Sequence, residues 1–300
     1  MRVVLLFLDG VGIGKRDPAT NPFLTANIPV IKSLLGESLP FLSNRRISSV
    51  RAELIPVNAT LGIRGLPQSG TGQTAIFTGV NGARLFGRHF GPYPPTVLRP
   101  IIEAKNIFRQ LLSRGRKVRF ANAFPQKFFD YTNSGTRRLT VTTLSCLATG
   151  MPLLTAEELK RNEGISADFT RERWPELGHP DVQPVTPGEA GHHLWSIARE
   201  FDFTLFEYWL TDHAGHSQKM RLAVDALERL DQFLGGFFDE FLPRDAMFVA
   251  ISDHGNLEDL SVKTHTRNPV ACIAAGNGAK DFVSSIRNLT HITPAVLNLF

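Results

Sequence analysis

Apolar residues gather in two patterns along this chain. Short apolar runs occupy Val3–Leu8, Phe203–Leu210, Met247–Ile251 and Val270–Ala275, the second interrupted by Thr204 and Glu207, and a fifth, Val118–Ala123, is interrupted by Arg119 and Asn122. Runs of this length with no polar alternation suit strands of a parallel sheet covered on both faces. Elsewhere the apolar positions recur every three or four residues, which predicts amphipathic helices. Over Leu222–Phe241, Ala223, Leu227, Leu230, Leu234, Phe237, Phe238 and Phe241 share one face. Over Leu98–Arg114, Ile101, Ile102, Ile107, Phe108, Leu111 and Leu112 mark a buried side, with Gly115 as the stop. Gly188–Glu200 reads as a further helix leading into the run at Phe203. Strands alternating with helices predict an α/β fold with a doubly wound, mostly parallel sheet.

The alternation fails between about Pro125 and Pro187, where Thr, Ser, Gly and Pro are frequent. A small inserted cap over 125–187 is expected there, splitting the core into 1–124 and 188–300. Of the 300 residues, 42% are hydrophobic and 20% charged, enough for a sizeable core and against wholesale disorder. Cys146 and Cys272 are the two cysteines, too few for a disulfide framework or a cysteine-based zinc site. The run Val3–Leu8 ends at Asp9, too short for a signal peptide, and no stretch reaches the about 18 apolar residues of a membrane span. A cytoplasmic chain with no membrane contact is expected.

The net charge of +5 raises the possibility of a polyanionic partner. The excess lies between Arg84 and Lys127, where ten basic residues face one acid, Glu103. Lys105, Arg109 and Arg114 fall on the outer face of the predicted 98–114 helix, and neither interleaved aromatics nor a nucleic-acid motif accompanies them. Nucleic acid is therefore not the expected partner. A metal-stabilised polyanion-binding protein is the non-catalytic alternative. Nothing in the sequence speaks to oligomeric state.

The candidate chemistry lies at the ends of the predicted strands. Asp9, Asp212 and Asp253 each follow one, and ligands of open parallel sheets bind outside the strands' carboxyl ends. Asp212-His213-Ala214-Gly215-His216 sets an acid and a histidine four apart, a spacing that one helical turn closes around an ion. Asp253-His254 adds an adjacent pair, and His265 follows in Thr264-His265-Thr266-Arg267-Asn268-Pro269. Together these residues offer donors for two divalent ions. Mixed carboxylate and imidazole donors suit Mn²⁺ or Zn²⁺, with Mg²⁺ where oxygens dominate. His213 is expected to point elsewhere.

A glycine-rich stretch, Gly65-Leu66-Pro67-Gln68-Ser69-Gly70-Thr71-Gly72-Gln73-Thr74-Ala75, reads as a loop running into a short helix, Thr74–Val80. Amides at such a helix start receive anions, and a hydroxyl there can act as a nucleophile. Thr74 is then either an N-cap or the nucleophile, and Ser69 and Thr71 are rival hydroxyls within the loop.

The ordered set LFLDGVGIG, GLPQSGTGQTA, TDHAGHS, SDHGNLED and THTRNPV resembles the alkaline phosphatase superfamily. It is most similar to the branch of cofactor-independent phosphoglycerate mutases and phosphopentomutases. The resemblance spans Asp9 to Pro269 and implies an alkaline phosphatase-like core. It also implies that one ion is held by Asp212, His216 and His265, and a second by Asp9, Thr74, Asp253 and His254. Thr74 becomes the expected nucleophile. The mutases carry Ser preceded by Asn where this chain is matched at Gln73-Thr74, and the chain is shorter than they are. The expected activity is metal-dependent phosphoryl transfer on a small-molecule phosphate ester, as a phosphohydrolase first, a sugar-phosphate mutase second, and sulfatase or other hydrolytic chemistry third. Gln73 and the adjacent Arg137 and Arg138 of the insert are the candidate substrate contacts.

Overall fold

A computed structural model describes residues 1–135 and 138–300. Among them, β1 (Arg2–Leu8), β2 (Ile47–Ser48), β3 (Ala52–Val57), β4 (Val118–Phe120), β5 (Phe203–Tyr208), β6 (Ala246–Ser252) and β7 (Val270–Gly276) form one sheet. Their spatial order is β2-β3-β7-β6-β1-β5-β4. The side chains of β1 divide between its two faces. Val3, Leu5 and Phe7 enter a core with Phe77, Ile102 and Phe108, while Val4, Leu6 and Leu8 enter another with Trp195, Phe233 and Phe237. Burial on both faces is what the apolar runs reflect.

The sheet is parallel through β6, β1, β5 and β4, but β7, β3 and β2 join it antiparallel. The expectation that Val270–Ala275 runs parallel is thereby corrected. A parallel return from β6 needs a crossover, usually a helix. Here the chain stays at the carboxyl edge after Ser252, pairs Gly255 with Thr266, and re-enters as β7 from that same edge. Burial on both faces says nothing of strand direction. β3 escapes the sequence pattern because Glu53 and Pro56 interrupt its apolar run.

The predicted 98–114 helix is two, Arg99–Lys105 and Ile107–Leu112. Asn106 between them is extended (φ −64°, ψ 153°), and its side chain accepts the Arg109 amide at 2.9 Å, so it caps the second helix. The long amphipathic helix spans Met220–Glu240 and lies against Pro187–Ala198. Within 125–187, the helix Val141–Ala148 packs into the main core through Val141, Leu144 and Cys146. Leu154, Ala156, Leu159, Trp174 and Val182 instead form a separate small cluster with Ala123. No helix of the described residues is long and apolar enough to cross a membrane.

Asn106 is fully buried, and its side-chain amide also donates to the Ile102 carbonyl. Asn106→Ala removes both bonds and is expected to lower stability by about 1–2 kcal/mol, read as a lower urea midpoint at unchanged denaturant slope.

Candidate functional site

β5, β1 and β6 are neighbours in register, with Leu8 opposite both Tyr208 and Ser252. Their carboxyl ends therefore deliver the following residues to one place. Asp9 and Asp253 leave β1 and β6 directly, and Asp212 sits in the first turn of the helix Leu210–Ser217 that follows β5. Asp9 and Asp253 are buried and Asp212 is half-buried.

Two donor groups result, sharing Asp212: one with His216 and His265, the other with Asp9 and His254. In the first, His216 Nδ1–H donates to the Lys263 carbonyl and His265 Nδ1–H to the Pro67 carbonyl, both at 2.8 Å. A carbonyl can only accept, so each Nε2 is left with its lone pair. Those two Nε2 atoms face each other at 3.2 Å, and lie 3.3 and 3.7 Å from the Asp212 carboxylate oxygens. In the neutral rings, lone pairs and a carboxylate converging in this way repel unless a proton or a metal cation lies among them. In the second group, His254 Nε2 lies 3.3 Å from Asp9 Oδ1 and 3.6 Å from Asp253 Oδ2. Asp9 Oδ1 and Asp253 Oδ2 are buried without a hydrogen-bond partner among the described residues. The donor set fits divalent cations.

The electrostatics show the same crowding. Burial and the neighbouring charge of Asp253 push the Asp9 carboxyl up to about 8, and burial with the Asp212 charge raises Asp253 too. Burial alone would depress the His254 imidazole, but Asp253 and Asp9 outweigh it and raise it to about 10. Burial and the His254 ring stacked at 3.7 Å lower His265 to about 4.

The glycine-rich stretch departs most from expectation. It is no loop: the helix begins at Ser69 and runs to Thr78, all ten residues buried. Its glycines serve close approach rather than turning. A Cβ on Gly70 would lie 2.3 Å from the Tyr93 carbonyl oxygen, and one on Gly72 would lie 2.9 Å from the Asp253 carbonyl oxygen. Thr74 therefore falls in mid-helix, where its hydroxyl donates back to the Gly70 carbonyl at 2.6 Å and its side chain packs near Gly82. Thr74 is fully buried with its hydroxyl committed to the backbone, so it does not meet the donor groups in this structure. The hydroxyl that does meet them is that of Ser69. Its Oγ lies 3.0 Å from His254 Nε2 in the first turn of the helix. The signal was present as a hydroxyl five residues ahead, hidden because glycines were read as loop formers.

Asn256 and Glu258 are further residues that the sequence reading passed over. Asn256 Nδ2 donates to Asp212 Oδ1 at 2.6 Å. The buried Glu258 carboxylate accepts from the Gly12 and Asn256 amides, the Thr266 hydroxyl and Asn268 Nδ2, tying the β1, β6 and β7 ends together. The run SDHGNLED held both, without a spacing that separates them from turn residues. His213 is exposed. Gln73 is buried within the Ser69–Thr78 helix, Arg138 lines a cavity beneath the 125–187 segment, and Arg137 lies outside the described residues.

That cavity, about 560 Å³, reaches Asp9. A depression of about 620 Å³ at the opposite end of the sheet, beside Arg51, Glu53 and Arg244, contains none of the candidate residues.

Residues 188–300, which carry Asp212, His216, Asp253, His254 and His265, match the family model described as Metalloenzyme superfamily. The 2,3-bisphosphoglycerate-independent phosphoglycerate mutase of Symbiobacterium thermophilum is 28% identical over 112 residues, covering 35% of this chain and 22% of the mutase. That of Pyrococcus abyssi is 29% identical over 84 residues, 28% of this chain and 20% of the mutase. The chain thus matches about a fifth of the length of these relatives. A protein of solved structure from Pyrococcus horikoshii superposes with a TM-score of 0.59 at 14% identity, over 99% of this chain and 96% of its own. The alkaline phosphatase of the Antarctic bacterium TAB5 does so at 0.54 with 13% identity, over 99% and 97%. At such identities the likeness is one of fold. The family match over residues 188–300 and the shared fold make the chain similar to the metalloenzyme superfamily in that segment and to alkaline phosphatases in fold.

Metal-free protein should lose stability as pH rises. Above pH 6.5, Asp9 and His254 hold protons more tightly folded than unfolded, so the native state binds more protons and the slope of stability with pH is negative. His265, lowered to about 4, acts in the opposite sense only below pH 6.5. Melting temperature in EDTA is expected to fall between pH 6.5 and 10, and to fall less with saturating Mn²⁺.

Proposed function

We propose that the protein is a phosphoesterase that passes the phosphoryl group of a small-molecule phosphate ester first to Ser69 and then to water. One observation carries this reading: the Ser69 hydroxyl, at the start of a ten-residue helix, lies 3.0 Å from His254 Nε2 and beside the Asp9 and Asp253 carboxylates. Asp212, His216 and His265 would hold one divalent cation, and Asp9, Asp253, His254 and Ser69 a second, with Mn²⁺ or Zn²⁺ the best match to the donors. When bound, such ions supply Lewis acidity toward phosphoryl oxygens.

The chain's own contributions follow from position. Ser69 gives its hydroxyl proton to solvent, from which the leaving alcohol later takes one, and attacks phosphorus in line. The Oγ–P bond forms as the bond from phosphorus to the alcohol oxygen breaks, and the alcohol leaves with a proton. Water then attacks the phosphoserine, restoring the hydroxyl and releasing inorganic phosphate. The Ser69 and Gly70 amides, in the first helical turn, have no acceptor within their own helix and suit the phosphoryl oxygens. Hydrolysis is favoured over mutation of a retained sugar phosphate because a mutase must grip the alcohol through both transfers. The arginines lining the cavity, Arg138 and Arg173, are exposed.

Ser69→Ala is expected to lower phosphate release from a panel of monoesters by at least about 1000-fold while leaving the melting temperature unchanged. Thr74→Val, which loses only a backbone-directed hydroxyl, should keep kcat within about threefold. Full activity in Ser69→Ala would overturn the covalent route, and isomerised sugar phosphate without free phosphate would replace the hydrolase with a mutase. By calorimetric titration with Mn²⁺, the protein should bind two equivalents, with His216→Ala losing one and Asp212→Asn weakening both.

A further inference from the structure

The cavity that reaches Asp9 has an unusual lining for a site handling phosphate esters. Phe124, Phe128, Tyr131, Trp174 and Trp209 all line it. Phe124 and Phe128 stack at 4.4 Å. The helix Gln126–Asn133, which bears Phe128 and Tyr131, is strongly amphipathic, yet its residues are half-buried or exposed. A helix normally buries such an apolar face against the core; this one turns part of it to an open space. Trp209 follows β5 immediately, beside Asp9, and is 39% exposed.

The polar groups along the cavity are largely committed to the protein. Asn122 is engaged through both side-chain atoms with the Glu207 backbone. Glu207 Oε2 accepts from the Thr142 hydroxyl, and Asp168 Oδ1 accepts from the Ser166 hydroxyl and the Arg171 amide. Glu207, Asp168 and Asp9 also bring carboxylates to the lining, against which an acid such as a glycerate would have to be placed. The cationic side chains that line it among the described residues, Arg138 and Arg173, are exposed, so a carboxylate would find no buried partner there. At about 560 Å³ the space is that of a drug-sized ligand, and a three-carbon sugar acid would leave most of it to water.

We infer that this cavity holds the alcohol half of a phosphate ester whose alcohol is a large, ring-bearing apolar group, and that it selects such esters over short polar ones. The inference rests on the phosphoesterase reading for the placement of the phosphate beside Asp9. Aromatic walls recognise a ring by stacking and by displacing water, and transfer of its apolar surface is worth orders of magnitude in affinity.

Leaving-group acidity must be held constant in the test, so ethyl phosphate is compared with 2-(1-naphthyl)ethyl phosphate and with 3-phosphoglycerate on the Mn²⁺-loaded protein. The naphthylethyl ester should show a kcat/KM at least about 100-fold above that of ethyl phosphate, carried mainly by KM. Phe128→Ser and Trp209→Ala, each checked by melting temperature, should each shrink that ratio by about tenfold. Binding is read separately, by quenching of tryptophan fluorescence in Ser69→Ala with 2-(1-naphthyl)ethylphosphonate. Equal kcat/KM for the ethyl and naphthylethyl esters, a preference for 3-phosphoglycerate, or an unchanged ratio in both variants would overturn the inference while leaving the phosphoesterase intact. Saturable phosphonate binding without turnover of any ester would support the cavity's selectivity and reject the reaction instead. Absence of both would reject both.

Discussion

Carboxylates and imidazoles packed into one site crowd more charge and more lone pairs together than they satisfy among themselves. At the carboxyl ends of β5, β1 and β6, Asp212, Asp9 and Asp253 converge with His216, His254 and His265. Two imidazole lone pairs face each other at 3.2 Å, and two buried carboxylate oxygens lack partners among the described residues. Retained protons on Asp9 and His254 offset part of this repulsion, while the Nδ1 atoms of His216 and His265 are engaged by backbone carbonyls and Asn256 by Asp212. Divalent cations would resolve it, and much of the surrounding structure is a scaffold that holds the ligands in place while they repel.

That scaffold explains features that otherwise look arbitrary. The chain between β6 and β7 remains at the carboxyl edge, where it places the candidate ligands Asp253, His254 and His265 and the tie Glu258, and the antiparallel direction of β7 follows from that return. The Ser69–Thr78 helix can lie against Asp253 only because Gly72 lacks a side chain. Its first turn is brought to His254, while Thr74 is left on the wrong side of the helix, hydrogen-bonded to its own backbone. A hydroxyl placed at a helix start can reach a ligand sphere. One placed a turn and a half further on cannot, and the difference is five residues of sequence.

The 125–187 segment adds what the sheet does not supply. Its cluster around Leu154, Leu159 and Trp174 is separate from the main core, and its aromatic side chains face the cavity that reaches Asp9. The matched phosphoglycerate mutases share about a fifth of their length with this chain. A likeness at 13–14% identity with the structural relatives is one of fold, and fold does not fix function.

By itself the sequence determined what depends on local pattern. Apolar runs marked β1, β5, β6 and β7, that of β5 despite Thr204 and Glu207, and three-to-four periodicity marked the long helices, since burial and amphipathicity are written residue by residue. Asp9, Asp212, His216, Asp253, His254 and His265 were legible because strand ends deliver their following residues to one sheet edge. Tertiary structure decided strand direction in β7, the strand β3 hidden by Glu53 and Pro56, and the break at Asn106. It also decided which hydroxyl faces the metal ligands. Gly70 and Gly72 carry the same letters in a loop as in a helix pressed against a neighbour, and only the approach of the Tyr93 and Asp253 backbones determines which they are. Local pattern records whether a residue is buried. What it is buried against is set by elements far away in the chain, and which hydroxyl meets the candidate metal donors depends on that.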